Sequence, residues 1–172
     1  MPRRLLRRFC CALVLGAGIA WPAQGEAQDQ RGAVMAVVDS AMHFINTGDG
    51  ARLSDLMTPE AQVYAASTRS GQPGYRMRTA ESQRAAGRRD PIIERGFSPD
   101  VRIAGTIAVV WLPYDLYVNN AWSHCGVDVF TLVLVGEHWR IANLTYSIEQ
   151  PPACRVHPDG PASGTRGTPP EA

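Results

Sequence analysis

Lysine is absent from this 172-residue chain: all 17 basic residues are arginine, a compositional bias to which no mechanism attaches. Surplus charge is absent as well. Sixteen acidic residues leave a formal charge of +1, so the chain lacks the excess of Lys and Arg that nucleic-acid binders cluster on one face to neutralise phosphates. No Gly-rich phosphate loop, Gly-x-Ser-x-Gly elbow or His-Glu-x-x-His motif occurs, which argues against hydride and phosphoryl transfer and gives no reason to expect a cofactor. There are no internal repeats. With 45% hydrophobic residues, 16 Gly and 13 Pro, the composition suits one globular domain and is neither collagen-like nor disordered throughout.

Long apolar runs are missing too. Residues 1–8 carry Arg3, Arg4, Arg7 and Arg8 without an acid, and Phe9–Ala20 is apolar over 12 residues, too short to cross about 30 Å of hydrocarbon. That is the pattern of a secretory signal. Ala23 and Gly25 are the small residues ahead of a cut before Glu26, and Gly25 with Ala27 offers a second site two residues later. Arg3-Arg4-Leu5-Leu6 only weakly resembles a twin-arginine signal, and Cys10-Cys11 lacks the small-residue context of a lipoprotein site. The protein is therefore expected to be periplasmic or secreted, with no membrane segment once residues 1–25 are removed. The remaining 147 residues carry 13 Arg against 16 acids, a net charge of −3.

Export leaves two cysteines, Cys125 and Cys154. In an oxidising compartment they either form one disulfide closing a loop of about 30 residues or stay as two thiols, one in a strand and one in a tail. His124, Cys125, Cys154 and His157 match no metal-ligand spacing, and no metal is expected.

Along the mature chain, Val34, Val37, Val38, Ala41 and Ile45 fall on one stripe of a helix over Ala33–Asn46, stopped by Thr47-Gly48-Asp49-Gly50. Ala51–Met57 reads as a short second helix, Val63–Ser67 as a short strand, and Thr79 as the cap of a third helix running to about Ala86. From Ile92 the character turns to β, with runs at Ile92–Phe97, Val101–Val118, Ser123–Val135 and His138–Ile148. Asn119-Asn120 and Gly136-Glu137 read as hairpin turns, Gly105 and Pro113 interrupt their run, and the apolar parity of the last strand shifts near Asn143, as a bulge requires. Long bent strands behind N-terminal helices predict an α+β cone, a curved antiparallel sheet wrapped around helices with a cavity between them. Residues 26–150 make up this domain. Residues 151–172, with six Pro and three Gly, are expected to be a disordered tail.

These elements resemble the nuclear transport factor 2-like superfamily. The runs Ile107–Asp115, Ser123-His124-Cys125-Gly126-Val127-Asp128-Val129-Phe130 and Trp139-Arg140-Ile141-Ala142 resemble its lumazine-binding-type (SnoaL-like) subgroup. The resemblance covers about Val34 to Cys154 and implies a conical pocket, a small apolar or aromatic ligand and a homodimer through the sheet. Superfamily enzymes that work without cofactors include ketosteroid isomerases, scytalone dehydratases and limonene epoxide hydrolases, but function does not follow from fold alone.

Strand alternation puts His124, Gly126, Asp128 and Phe130 on one face and Cys125, Val127 and Val129 on the other. If the first face is concave, His124 is a general acid or base near neutral pH, Gly126 leaves room for a ligand and Asp128 supplies a carboxylate. Otherwise Asp128 pairs with an arginine such as Arg140, and His124 is a rim residue. Tyr114, Asp115 and Tyr117 follow Pro113, whose bend would bring Asp115 or Tyr117 near His124; the other reading is an aromatic strand in a core or interface. Trp111, Tyr117, Phe130 and Trp139 either line the pocket or fill the interior. Arg84, Arg88, Arg89 and Arg95, interspersed with acids, read as a solvated face. Three functions are open: a binding protein without catalysis, a cofactor-free lyase, isomerase or hydrolase using His124, Asp128, Asp115 and Tyr114, and a module that binds a partner through its sheet. The export reading predicts that denaturing mass analysis of protein recovered from the host's exported fraction gives a chain beginning at Glu26 or Gln28; a chain retaining Met1 would overturn it.

Overall fold

Helix α1 (Gln24–Asn46) forms where the apolar stripe was expected and extends further toward the N-terminus. The computed structural model describes residues 24–68 and 71–167; the expected leader lies outside them except for Gln24 and Gly25. Val34, Val38 and Ala41 of α1 are wholly buried, one above another at helical spacing. Among the described residues no helix is long and apolar enough to cross a membrane.

After α1, Gly48 takes a positive φ of 68°, a conformation glycine adopts without penalty. Asp49 then caps α2 (Gly50–Asp55) by accepting a 3.1 Å bond from the Arg52 N–H. Strand β1 (Met57–Ser67) is longer than expected, and β2 (Gly74–Thr79) was not expected at all. Thr79 caps α3 (Ala80–Ala85) through reciprocal bonds with Ser82.

The remaining strands are β3 (Ile92–Gly96), β4 (Asp100–Ala104), β5 (Ile107–Val118), β6 (Ala121–Val135) and β7 (His138–Ile148). They build a mixed sheet in the order β2-β1-β7-β6-β5-β3, with β4 beside the first half of β5. All pairings are antiparallel except β1 with β7. Asn119 and Asn120, at φ 52° and 58°, make the β5–β6 turn. Thr131 faces Asn143 while Leu132 faces Ile141, so the bulge falls at Ala142. The run Val101–Val118 is two strands folded back at Gly105.

Pro113 sits where the outer neighbour of β5 changes. Tyr114 pairs with Gly96 of β3 and Trp111 with Asp100 of β4, so Pro113 has no strand partner on that side and its missing N–H leaves no ladder bond unmade. Its carbonyl accepts from Phe97 N at 2.9 Å. The core lies between α1 and the concave face of the sheet, where Val34, Val38 and Ala41 meet Val110, Phe130, Leu132, Trp139 and Ile141.

The expected disordered tail needs correcting through Gly167: residues 151–167 form an ordered strap across the convex side of the sheet. Cys154 is bonded to Cys125 of β6, with Cα atoms 5.6 Å apart. The Arg95 guanidinium donates to Gly160 O at 2.7 Å, Ala162 N donates to Tyr117 Oη at 3.2 Å, and Arg166 exchanges backbone bonds with Asn120 and Trp122. The prolines and glycines here make turns, with Gly160, Gly164 and Gly167 at positive φ. Replacing both Cys125 and Cys154 by Ala should lower stability by roughly 3 kcal/mol, read as a shift in denaturant midpoint, and should open the strap to protease between Pro151 and Gly167.

Candidate functional site

On β5 and β6 the two-residue period assigns every functional side chain to a side. Leu112, Tyr114 and Leu116 of β5 stand opposite Asp128, Gly126 and His124 of β6. Tyr114, Leu116, His124 and Asp128 line a cavity of about 340 Å³ on the concave face. Phe44, Ile45, Leu53, Val63 and Leu144 supply apolar wall, while Glu94, Tyr146, Arg76, Arg78 and Arg89 supply polar groups.

Three of the four expected catalytic residues, His124, Asp128 and Tyr114, therefore share the cavity, and Asp115 does not. The same period carries Asp115 and Tyr117 to the convex side, because the register of β5 runs through Pro113 without a change of parity. There Asp115 is 2% exposed and ion-paired with Arg95, and Tyr117 Oη lies 3.4 Å from Asp115 Oδ2 beneath the strap. Of the expected pocket aromatics, Trp111 is half exposed on the outer side, while Phe130 and Trp139 are buried in the core. None of these lines the cavity, and neither does Tyr117. The expected room at Gly126 is also taken: a Cβ there would meet Ser147 O at 2.1 Å and Tyr114 Cε1 at 2.8 Å. The glycine lets the Tyr114 ring lie across β6, where its hydroxyl donates to Ser147 O at 2.6 Å. His124, 8% exposed, meets the Tyr114 ring edge-on and has Ser123 Oγ 3.0 Å from its Nδ1.

Asp128 does not pair with Arg140, whose guanidinium donates to Asp55 O. Its partner is Glu94 of β3, which the sequence did not single out. Glu94 is held in register by Asn46 at the end of α1: the Asn46 amide donates to Glu94 O at 2.9 Å and accepts from Glu94 N at 2.6 Å. Asp128 is 2% exposed, and no N–H or O–H donor among the described residues satisfies its Oδ2. The carboxyl it meets is an acceptor too, so the pair is satisfied only when a proton lies between them. Burial foremost, then the Glu94 charge and their contact, hold Asp128 well above the usual carboxylate range. Burial pushes Glu94 up to about 7, opposed by its hydrogen bond with Asp128. Both shifts favour the protonated form, and the two carboxyls titrate as a unit.

Arg89, expected on a solvated face, is exposed and also lines the cavity. Its loop lies against the α1–α2 turn, with Arg89 N donating to Gly48 O at 3.0 Å. Any Cβ at Gly48 would come within 2.2 Å of Arg89 O, and one at Gly50 within 2.5 Å of Gln83 O. Gln83, buried on α3, accepts from Arg89 Nη2 at 2.7 Å. Arg78 Nη2 lies 3.4 Å from Tyr146 Oη. Burial and the neighbouring Arg78 charge lower the Arg89 pKa from its ordinary value. Among the described residues no group of three or more His, Cys, Asp or Glu side chains is arranged to hold a metal.

Comparison of the sequence with protein-family models and with curated proteins finds no match. Comparison of the structure finds many. A nuclear transport factor 2-like protein of unknown function from Silicibacter pomeroyi superposes with a TM-score of 0.51 at 18% identity, over 72% of this chain and 98% of that one. A nuclear transport factor 2-like protein with a cystatin-like fold from Novosphingobium aromaticivorans gives 0.59 at 13% identity, over 79% and 95%. The beta subunit of a proposed aromatic-ring-hydroxylating dioxygenase from the same species gives 0.60 at 12% identity, over 77% and 95%. The chain has the nuclear transport factor 2-like fold, a curved sheet closed against helices around a cavity.

The carboxyl pair carries a pH signature. Both groups bind protons more tightly in the folded chain than in the unfolded one. Rising pH therefore draws stability away from about 4.5, where unfolded Glu releases its proton, through about 7, where folded Glu94 does. The neutral variant Glu94→Gln escapes this loss. Its stability relative to wild type should rise between pH 5 and pH 8 by on the order of 2 kcal/mol, measured by urea unfolding at each pH; a constant difference would overturn the assignment.

Proposed function

We propose that the protein is exported and captures a small molecule with an apolar or aromatic body in its conical cavity. The observation that carries this reading is the chemistry of the cavity: apolar walls enclosing a carboxyl pair that retains a proton beside His124 and Tyr114. Apolar wall combined with convergent polar groups is what small-molecule sites have in common, and about 340 Å³ lies at the lower end of their range. The Cys125–Cys154 bond supports export, since such bonds persist in oxidising compartments. A homodimer would use the open side of the sheet, where Ile107 and Trp111 are each at least half exposed. A fold neighbour described as a beta subunit is in keeping with assembly.

Cofactor-free acid–base catalysis is the second reading, favoured by one observation. Glu94, brought to about 7, divides between its acid and base forms at neutral pH, the condition under which a proton-transfer group is most effective. Native mass spectrometry of mature protein from its own host tests the first reading by the mass of a co-purifying molecule. That molecule then separates the two: under catalysis Glu94→Gln and His124→Ala slow its conversion at least a hundredfold, whereas under binding alone it leaves unchanged and affinity shifts by less than about tenfold.

A further inference from the structure

Three arginines converge on one cavity, and none of them is ion-paired among the described residues. Arg76 and Arg78 are two apart on β2 and so project from the same face of that strand, while Tyr75 and Met77 between and beside them are exposed on the other. Arg89 reaches the same cavity from the loop before β3. Four ion pairs join side chains of the described residues, and none of the three takes part in any. Asp90 is the one acid besides Glu94 and Asp128 among the lining residues. With Glu94 and Asp128 sharing a proton, the cavity is left with positive charge in excess.

The placement is built. Buried Gln83 holds the Arg89 fork by accepting from Nη2, Tyr146 Oη meets Arg78 Nη2, and Gly48 admits the Arg89 backbone at a distance no side chain would tolerate. Two like charges kept this close disfavour the empty site and favour one occupied by an anion. The polarity is directional as well. Arg76 and Arg89 are exposed and mark the solvent end, whereas Asp128, at 2% exposure, marks the closed end.

We infer that the ligand is a small organic acid, its planar carboxylate held by Arg78 and Arg89 at the mouth and its apolar body directed inward to the Glu94–Asp128 pair. The inference rests on the reading of the cavity as a ligand site and adds the ligand's charge and direction. A guanidinium fork matches a planar carboxylate with two parallel hydrogen bonds, and Phe44, Ile45, Leu53 and Leu144 suit a hydrocarbon or aromatic body. The protonated carboxyl at the closed end suits a carbonyl or hydroxyl on the far side of the molecule.

Matched acid–amide pairs test it: benzoate with benzamide, cinnamate with cinnamamide and 1-naphthoate with 1-naphthamide, titrated calorimetrically into the mature protein at low salt. At least one acid should bind about tenfold more tightly than its amide, with the margin shrinking in concentrated salt. Arg78→Gln with Arg89→Gln should bring each pair within about twofold, and Arg102→Gln, at an exposed position of β4, should change nothing. If the double variant is unstable, the exposed single substitutions Arg76→Gln and Arg89→Gln carry the comparison. Amides binding as well as acids, or a preference that survives loss of the arginines, would overturn the inference and leave the binding site standing. No binding by any of the six probes at millimolar concentration would overturn both.

Discussion

The pleat of two adjacent strands governs this molecule. Side chains alternate across β5 and β6, and every consequence of the site follows from that period. Tyr114 and Leu116 of β5 look into the cavity, and Asp115 and Tyr117 look toward the strap. A slip of one residue would exchange His124 for Cys125 and Tyr114 for Asp115, placing a disulfide in the cavity and the imidazole outside it. The hairpin turn at Asn119-Asn120 and the Cys125–Cys154 bond both pin the register against such a slip.

Within that frame the cavity separates its charges by depth. The guanidiniums stay near water, where their hydration costs least, and the two carboxyls lie where ionisation is opposed. Each arrangement would be unfavourable alone. Together they form a field running from the mouth to the closed end, and Asn46 and Gln83 hold its two ends through hydrogen bonds to β3 and to Arg89.

Much of the architecture was legible in the sequence. The Val34–Val38–Ala41 stripe, the two hairpin turns and the parity shift near Asn143 are local patterns, and local patterns report helix faces, turns and bulges directly. His124 and Asp128 could be placed on one face because alternation along a single strand is enough to group them, whereas Tyr114 lies on the neighbouring strand and its side depends on the pairing. Glu94 could not, because its meeting with Asp128 depends on β3 lying across β5 from β6, a matter of topology rather than spacing. Arg89 sits among other arginines and acids and reads as solvated surface; it is exposed, and its place on the cavity depends on the close backbone approach that Gly48 allows and on Gln83. Strand β2 shows no apolar alternation because it is exposed or half-buried throughout, and the strap's Pro and Gly content looks like disorder until a disulfide fixes one end.

The place of β2 in the sheet has one more consequence. It is the terminal strand, so one row of its backbone N–H and C=O groups has no strand neighbour among the described residues. Arg76 and Arg78 lie on that same strand, and charged side chains on an edge oppose the docking of another chain's strand through mutual repulsion and desolvation. The residues that would draw an anion into the cavity therefore also keep the sheet from growing outward. Evolution cannot readily exchange them for uncharged residues to suit a neutral ligand without giving the sheet a sticky border, so the charge preference of the cavity and the colloidal stability of the protein are bound to change together.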